Sequence, residues 1–223
     1  MAGGDPVKPR LLDLFCCEGG AAAGYATAGF EVVGVDIAPM PRYPFEFHQG
    51  DAMTWPLDGF DAVHASPPCQ DHSALSTLHA KHGTGWMLAE TVSRLQEWGG
   101  LWVVENVESA DMPGSLVLCG SEFGLGAVEA GRYRYLKRHR RFLSNVLLMG
   151  AGGCHCYGRP TGGVYGNGGG GQQTRGYKFS AAQSRVAMGM PWASRNGVSQ
   201  AIPPAYCKFI GEQLMAHLAA VTR

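Results

Sequence analysis

The chain has 223 residues, 45% hydrophobic and 16% charged, which is enough for one sizeable α/β domain with a small appendage and too few for two full domains. Eighteen basic residues balance eighteen acidic ones, so no global charge advertises a polyanionic partner and any basic surface must be local. The first ten residues lack the apolar core of a signal peptide, no apolar run approaches membrane-spanning length, and the seven cysteines form no regular framework. These features predict a soluble cytoplasmic protein with reduced thiols and no membrane partner.

In chain order, Arg10 to Cys16 contains the apolar run Leu11-Leu12-Asp13-Leu14-Phe15, a buried strand. Cys17-Glu18-Gly19-Gly20 follows, and the alanine-rich segment Ala21 to Ala28 reads as a closely packed helix. Strand, glycine turn and helix form the first half of a nucleotide-binding βαβ unit, in which glycines let the backbone approach a ligand. The next strand, Glu31 to Ile37, reaches Asp36 about twenty residues later, where a carboxylate can accept both hydroxyls of a ribose. A third strand, Phe45 to Gln49, leads into Gly50-Asp51, a second acid at a strand end that can accept from an exocyclic amine.

The fourth strand, Phe60 to Ser66, stops at Pro67-Pro68, and Cys69-Gln70 stand just past the stiff turn. Asp71 to Gly85 reads as a mobile polar loop, and its histidines lack ligand spacing. Trp86 to Trp98 is helical by period, and Gly99-Gly100 ends it. Leu101 to Val104 is the fifth strand and ends in Glu105-Asn106-Val107, where a carboxylate on an apolar strand needs a partner or a task. Five strands alternating with helices predict a doubly wound, mostly parallel sheet, which brings Cys69, Glu105, Asp36 and Asp51 to one edge.

Beyond residue 110 the pattern weakens. Leu116 to Cys119 and Phe142 to Leu148 read as strands flanking the basic stretch Arg132 to Arg141, whose interleaved aromatics suit phosphate contact and base stacking. Residues 150–176 carry a dense glycine cluster. Cys154-His155-Cys156 within it has metal-like proximity, but with no second ligand pair evident elsewhere no metal site is predicted. Ser180 to Met190 reads as a helix, and Pro203-Pro204 opens a final helix through Leu218. The domain reading is therefore residues 1–144 for the catalytic unit, 145–179 for a glycine-rich insertion, and 180–223 for helices returning to the first unit.

These residues resemble the DNA cytosine-C5 methyltransferases, particularly the short phage and prophage forms. Asp13-Leu14-Phe15 with Gly19-Gly20 is similar to the family's first S-adenosylmethionine motif. Pro67-Pro68-Cys69-Gln70 resembles the catalytic loop, Glu105-Asn106-Val107 the second catalytic motif, and Arg138-His139-Arg140 the Arg-x-Arg pair near the target base. Ala201-Ile202-Pro203-Pro204-Ala205 is similar to the closing motif. Three positions depart from the pattern: Cys17 for a glycine, Leu136 for a glutamine, and Ser199-Gln200 for Gly-Asn.

The resemblance implies a Rossmann-like S-adenosylmethionine-dependent methyltransferase fold with a minimal target-recognition insertion. It implies Cys69, Glu105, Arg138 and Arg140 as catalytic residues. The cofactor, released as S-adenosylhomocysteine, would be held by Phe15, Cys17, Gly19, Gly20, Asp36, Ile37, Asp51, Ala52, Pro68, Trp86, Gln200 and Ala201. The partner implied is double-stranded DNA with a flipped cytosine. Three alternatives remain open from the sequence: C5 methylation of a free cytidine or deoxycytidine nucleotide, a silent cofactor- or DNA-binding relative, and a sulfonium donor bulkier than methyl.

Overall fold

The computed structural model describes residues 7–68, 85–164 and 177–221. Cys69, with the rest of 69–84, and the glycine cluster within 165–176 lie outside the described residues. The apolar runs of the first half form β1 (Arg10–Leu14), β2 (Glu31–Asp36), β3 (Glu46–Gln49), β4 (Ala62–Ala65) and β5 (Leu101–Val107). All five pair in parallel. Helix α1 (Gly20–Ala28) joins β1 to β2, and α2 (Gly85–Trp98) precedes β5.

Four shorter strands follow: β6 (Leu116–Leu118), β7 (Gly126–Glu129), β8 (Arg132–Leu136) and β9 (Arg140–Ser144). β9 lies antiparallel between β5 and β6, completing a seven-stranded sheet in the order β3-β2-β1-β4-β5-β9-β6. The order reverses between β1 and β4, so their carboxyl ends flank a switch-point crevice of the kind in which open α/β sheets bind ligands.

The inner parallel strands β1, β2, β4 and β5 are buried on both faces, as their apolar runs require, and edge strand β3 is largely exposed. Leu11, Val103 and Phe142 pack on one side with Tyr25 of α1 and with Tyr206 and Ile210 of the last helix. Leu12, Leu14, Val63 and Trp102 pack on the other with Met87 and Leu95 of α2. The alternation in β1 is what turns Asp13, between two outward leucines, toward the α1 side beneath Tyr43.

The second half departs from the sequence reading. β7 and β8 form a hairpin, and β10 (Thr161–Gly163) and β11 (Tyr177–Lys178) extend it to a second, four-stranded sheet. Because β8 pairs with β10, residues 161–163 and 177–178 of the expected insertion share a sheet with 126–136, on the other side of the boundary expected at residue 144. α3 (Ala181–Met188) and α4 (Arg195–Gln200) cover it, with Met188, Met190 and Val198 packing on Ala127, Leu136 and Phe179. Only α5 (Pro204–Val221) returns to the large sheet. Ser180 starts α3 with a reciprocal cap: its hydroxyl accepts from the Gln183 amide, and the Gln183 side chain accepts from the Ser180 amide.

The basic stretch is another correction, because most of its cations face inward partners, while Arg132 and Lys137 stay exposed. Arg134 pairs with Glu129 at 3.0 Å and lies over the Tyr177 ring. Arg141 donates to the Glu108 carbonyl and the Ser115 hydroxyl. Tyr133 and Tyr135 meet edge to face. Cys154 and Cys156 are not isolated either: they stand beside Cys119 and His139.

Helices α1 and α5 touch where Gly24 has no side chain. A Cβ there would lie 2.7 Å from both the Cys207 Cβ and the Lys208 nitrogen, inside any contact distance. Gly24→Ala gains about 1 kcal/mol of helix propensity but forces the helices apart, a strain of about 1–3 kcal/mol. We expect a net loss in urea unfolding; a stabilised variant would mean the helices are not so closely apposed.

Candidate active site

Four strand ends converge on the crevice. After β1 the chain passes through Phe15 at φ 59°, Cys17 at φ 47° and Gly19 at φ 80°. Left-handed backbone is costly for side-chain-bearing residues, and Cys17 occupies a position where a glycine would be relaxed. The turn is held by the Cys17 amide donating to Asp36 Oδ2 at 3.0 Å and the Gly19 amide donating to the Cys16 carbonyl. Gly20 then starts α1, whose amino terminus has no side-chain cap.

Asp36, at the end of β2, also accepts from the Ala38 amide at 3.1 Å. One lone pair on each oxygen remains for a ligand hydroxyl. Asp51 follows β3 and accepts from the Met53 amide at 2.9 Å. Buried Phe15 and Ala52 and partly buried Ile37 and Trp86 belong to one apolar cluster beside these acids. Amphipathic walls of this kind fit a nucleoside: carboxylates for hydroxyl and amine, apolar side chains for the ring.

Asp13 lies beneath the turn. Burial, reinforced by nearby Asp36, pushes its carboxyl up to about 8, so it keeps its proton at neutral pH. Burial among Asp36, Asp13, Glu105 and Glu18 likewise pushes the Cys17 thiol upward, leaving it a neutral wall.

Glu105 is 6% exposed. Antiparallel pairing sets Arg140 opposite Val107, and Arg140 Nε meets Glu105 Oε1 at 3.0 Å. Burial raises the Glu105 pKa, while Arg140, Arg138 and a hydrogen bond from Ser66 oppose the rise. Asn106 donates to the Pro67 carbonyl at 3.0 Å, so the two motifs are tied to each other by a buried bond. Pro68, half-buried, is the last described residue before Cys69.

Arg138 is fully buried and does not face the crevice as an open cation. It donates to the carbonyls of Ser199 and Ala201 at 2.9 and 2.6 Å, and its own carbonyl accepts from Tyr206. The closing segment is thus anchored by backbone oxygens, which a Ser-Gln pair supplies as well as any other. Ala201 packs against Gly20 at the first turn, whereas the Gln200 side chain is exposed.

Two groups of residues escape sequence reading. Glu18 accepts from the Ser194 amide and hydroxyl at 2.6 and 2.5 Å, and its carbonyl accepts from the Trp192 indole, clamping the second unit to the first turn. His64 forms a buried chain: Nδ1 lies 2.9 Å from the Tyr25 hydroxyl and Nε2 lies 2.8 Å from the Ser66 hydroxyl, which in turn reaches Glu105. A lone histidine in an apolar strand gives no sign of such partners; only the fold brings Tyr25 and Glu105 to it.

Burial pushes the His64 imidazole down from 6.5 to about 3. The unfolded chain takes up this proton below 6.5, and the folded chain does not until about 3. The residue's contribution is therefore lost as pH falls through that window, at up to about 1.4 kcal/mol per unit. The stability advantage of wild type over His64→Gln should shrink between about pH 7 and 4 in urea titrations; a pH-independent difference would contradict a neutral buried imidazole.

No family model matches the sequence, and no curated protein matches it either. Among solved structures, the chain is similar to the Entamoeba histolytica methyltransferase EhMeth over 96% of its own length and 99% of that chain, at 8% identity and a TM-score of 0.56. A candidate DNA modification methyltransferase encoded within an E. coli prophage overlays 61% of this chain at 19% identity with a TM-score of 0.45; this chain spans 46% of that protein. The glycopeptide N-methyltransferase MtfA, complexed with S-adenosyl-L-methionine, overlays 61% of this chain and 60% of its own at 16% identity with a TM-score of 0.33. The last two overlays are too loose to carry weight. Sheet order and switch point establish a Rossmann-like, mostly parallel α/β fold, and the overlay along EhMeth shows that this fold is shared with a methyltransferase.

Proposed function

We propose that this protein methylates cytosine C5 in DNA through a covalent bond between Cys69 and C6 of the base. One observation carries the reading: Glu105, a buried carboxyl ion-paired to Arg140, adjoins Asn106, which grips the Pro67 carbonyl two residues before Cys69. Acid, cation and proline turn are therefore built as one unit beside a methyltransferase crevice. EhMeth, whose fold this chain shares along nearly its whole length, is a methyltransferase, which agrees with this reading.

The crevice fits S-adenosylmethionine. Asp36 would hold the ribose, Asp51 and Ala52 the adenine, and Phe15, Ile37 and Trp86 the apolar face; Cys17, Gly19 and Gly20 would line the turn, with Pro68 and Ala201 at its rim. Bound there, the cofactor supplies an electrophilic methyl group on a sulfonium. Cytosine C5 is a poor nucleophile, and the Cys69 thiolate remedies this by donating its electron pair to C6. Glu105, whose pKa burial raises against the pull of Arg140, would donate to N3 in its protonated form and offset the charge that develops on the ring. Arg140 holds Glu105 and reaches toward the base O2. Once C5 carries its methyl, loss of the C5 proton to a base restores the double bond and expels Cys69 as thiolate. The neutral Cys17 thiol does not compete as nucleophile.

A base within a duplex cannot reach such a site, so the cytosine must flip out, at a cost of about a few kcal/mol. A second reading, methylation of a free deoxycytidine nucleotide, is favoured by the inward engagement of Arg134, Arg138, Arg140 and Arg141.

Labelled methyl transfer to duplex DNA and to dCMP separates these readings; we expect duplex DNA to be labelled. Cys69→Ala should cut transfer at least about 10³-fold with cofactor binding intact. Turnover surviving in that variant would sink the mechanism, and labelling of dCMP alone would replace the substrate. Asp36→Ala should weaken S-adenosylmethionine binding about tenfold or more by calorimetry, about 1.4 kcal/mol; unchanged affinity removes Asp36 from the site.

A further inference from the structure

Cys119, His139, Cys154 and Cys156 come from three separate places: the turn after β6, the residue between Arg138 and Arg140, and the loop between β9 and β10. Their four ligand atoms all lie within 4.8 Å of one another. Cys119 Sγ is 3.3 Å from Cys156 Sγ, and His139 Nε2 is 3.2 Å from Cys154 Sγ. A tetrahedral zinc with bonds of about 2.3 Å to sulfur and 2.0 Å to nitrogen separates three sulfurs and one nitrogen by about 3.5–3.8 Å, between the closest of these contacts and their widest spread. We propose that these four side chains form a structural zinc site.

Three further observations support the donor set. His139 Nδ1 lies 3.2 Å from Glu108 Oε2, which orients the ring and leaves Nε2 for the metal, the usual outer-sphere arrangement of a ligating histidine. The Cys156 amide points at Cys154 Sγ at 3.3 Å, and the Ser121 hydroxyl lies 3.4–3.7 Å from all three sulfurs, so donors converge on the thiolates. Three sulfurs and one imidazole select zinc over harder cations. The alternative of a disulfide does not suit the cluster: a Cys119–Cys156 bond needs about 2.05 Å and would leave Cys154 and His139 facing each other to no purpose.

Four protein ligands fill a tetrahedron, so the site is closed and has no position for a reacting water. Its work is to hold the chain. Residues 150–160 bury little: Cys154 is exposed and Tyr157 is fully so. A loop with so small a core gains its folding energy from a metal instead. The same metal would fix His139, and with it the segment that turns Arg138 inward and delivers Arg140 to Glu105. The proposal stands independently of the reaction assigned above.

The full-length chain, purified under reducing conditions without chelator, should carry about one zinc per chain by elemental mass spectrometry. A mercurial thiol reagent should release that zinc to a chromophoric chelator. Cobalt exchanged into the site should show thiolate charge-transfer and tetrahedral visible bands. Cys154→Ser with Cys156→Ser should lose the metal, and His139→Cys should retain cobalt with a spectrum shifted toward four sulfurs. A folded wild-type chain that carries no zinc and develops no cobalt bands would overturn the proposal, as would peptide mapping that recovers a Cys119–Cys156 disulfide from reductant-free, metal-free protein.

Discussion

A carboxyl group buried at the end of an apolar strand is expensive to hold, by several kcal/mol if ionised and unpaired, and much of this fold is arranged around Glu105. Its first partner, Arg140, lies 35 positions along the chain and reaches it only because β9 inserts antiparallel beside β5. Its second, Ser66, stands at the end of β4 and is itself held by His64 and Tyr25. Arg138 contributes through the field, from a buried position secured by the carbonyls of the closing segment. Glu105 is therefore reached by β4, β9, α1 and the segment before α5. A group whose proton depends on so many fixed partners is suited to acid chemistry at one place and one distance.

The first turn shows the complementary constraint. Two non-glycine residues in left-handed backbone, Phe15 and Cys17, store about 1–3 kcal/mol each and persist only where the surroundings dictate them. Asp36 holds the Cys17 amide from one side. From the other, Glu18 binds Ser194, the cap of α4. That clamp ties the start of α4, which packs on the small sheet, to the first turn at the mouth of the crevice. Gly24 acts at longer range by letting α5 approach α1, which brings the Pro203-Pro204 segment back to Gly20.

The elements most legible in the sequence are those whose signal is local. Apolar runs ending in glycine, acid or proline mark β1, β2, β4 and β5, because a strand buried on both faces is mostly apolar; β3, at the exposed edge, has Phe47 as its one apolar residue. The helices followed from period and from caps such as Ser180. Boundaries of short strands were less legible: β3 and β4 begin one or two residues late because aromatic Phe45 and Phe60 pack at the sheet's rim without joining its ladder. What remained hidden depends on contacts across the chain. The basic stretch resembled a solvated charged face, yet the pairing of β7 with β8 and of β9 with β5 turned most of its cations toward Glu129, Glu105 and backbone oxygens. Cys154 and Cys156 suggested half of a ligand set; the other half lies 35 and 15 residues before Cys154, in Cys119 and His139, where spacing rules offer no cue.

The inward cations also bear on how a substrate would be held. With net charge zero, and with Arg134, Arg138, Arg140 and Arg141 engaged within the chain, the exposed basic side chains near the small sheet, among the described residues, are Arg132, Lys137, Arg159, Lys178 and Arg195. Arg159 lies over the Tyr135 ring, which fixes it at the sheet's edge. Each phosphate neutralised contributes a salt-dependence slope of about −0.9 on duplex DNA, so these cations describe a footprint of a few phosphates. A contact so small cannot by itself pay for extruding a base from the stack. Under the reaction we propose, the balance would come from the pocket that receives the base, where the Glu105–Arg140 pair is already ordered and would spend nothing further on becoming so. On that proposal the fold invests its arginines in preorganising the site around Glu105, and affinity for a polyanion is the weaker of its two holds on the substrate.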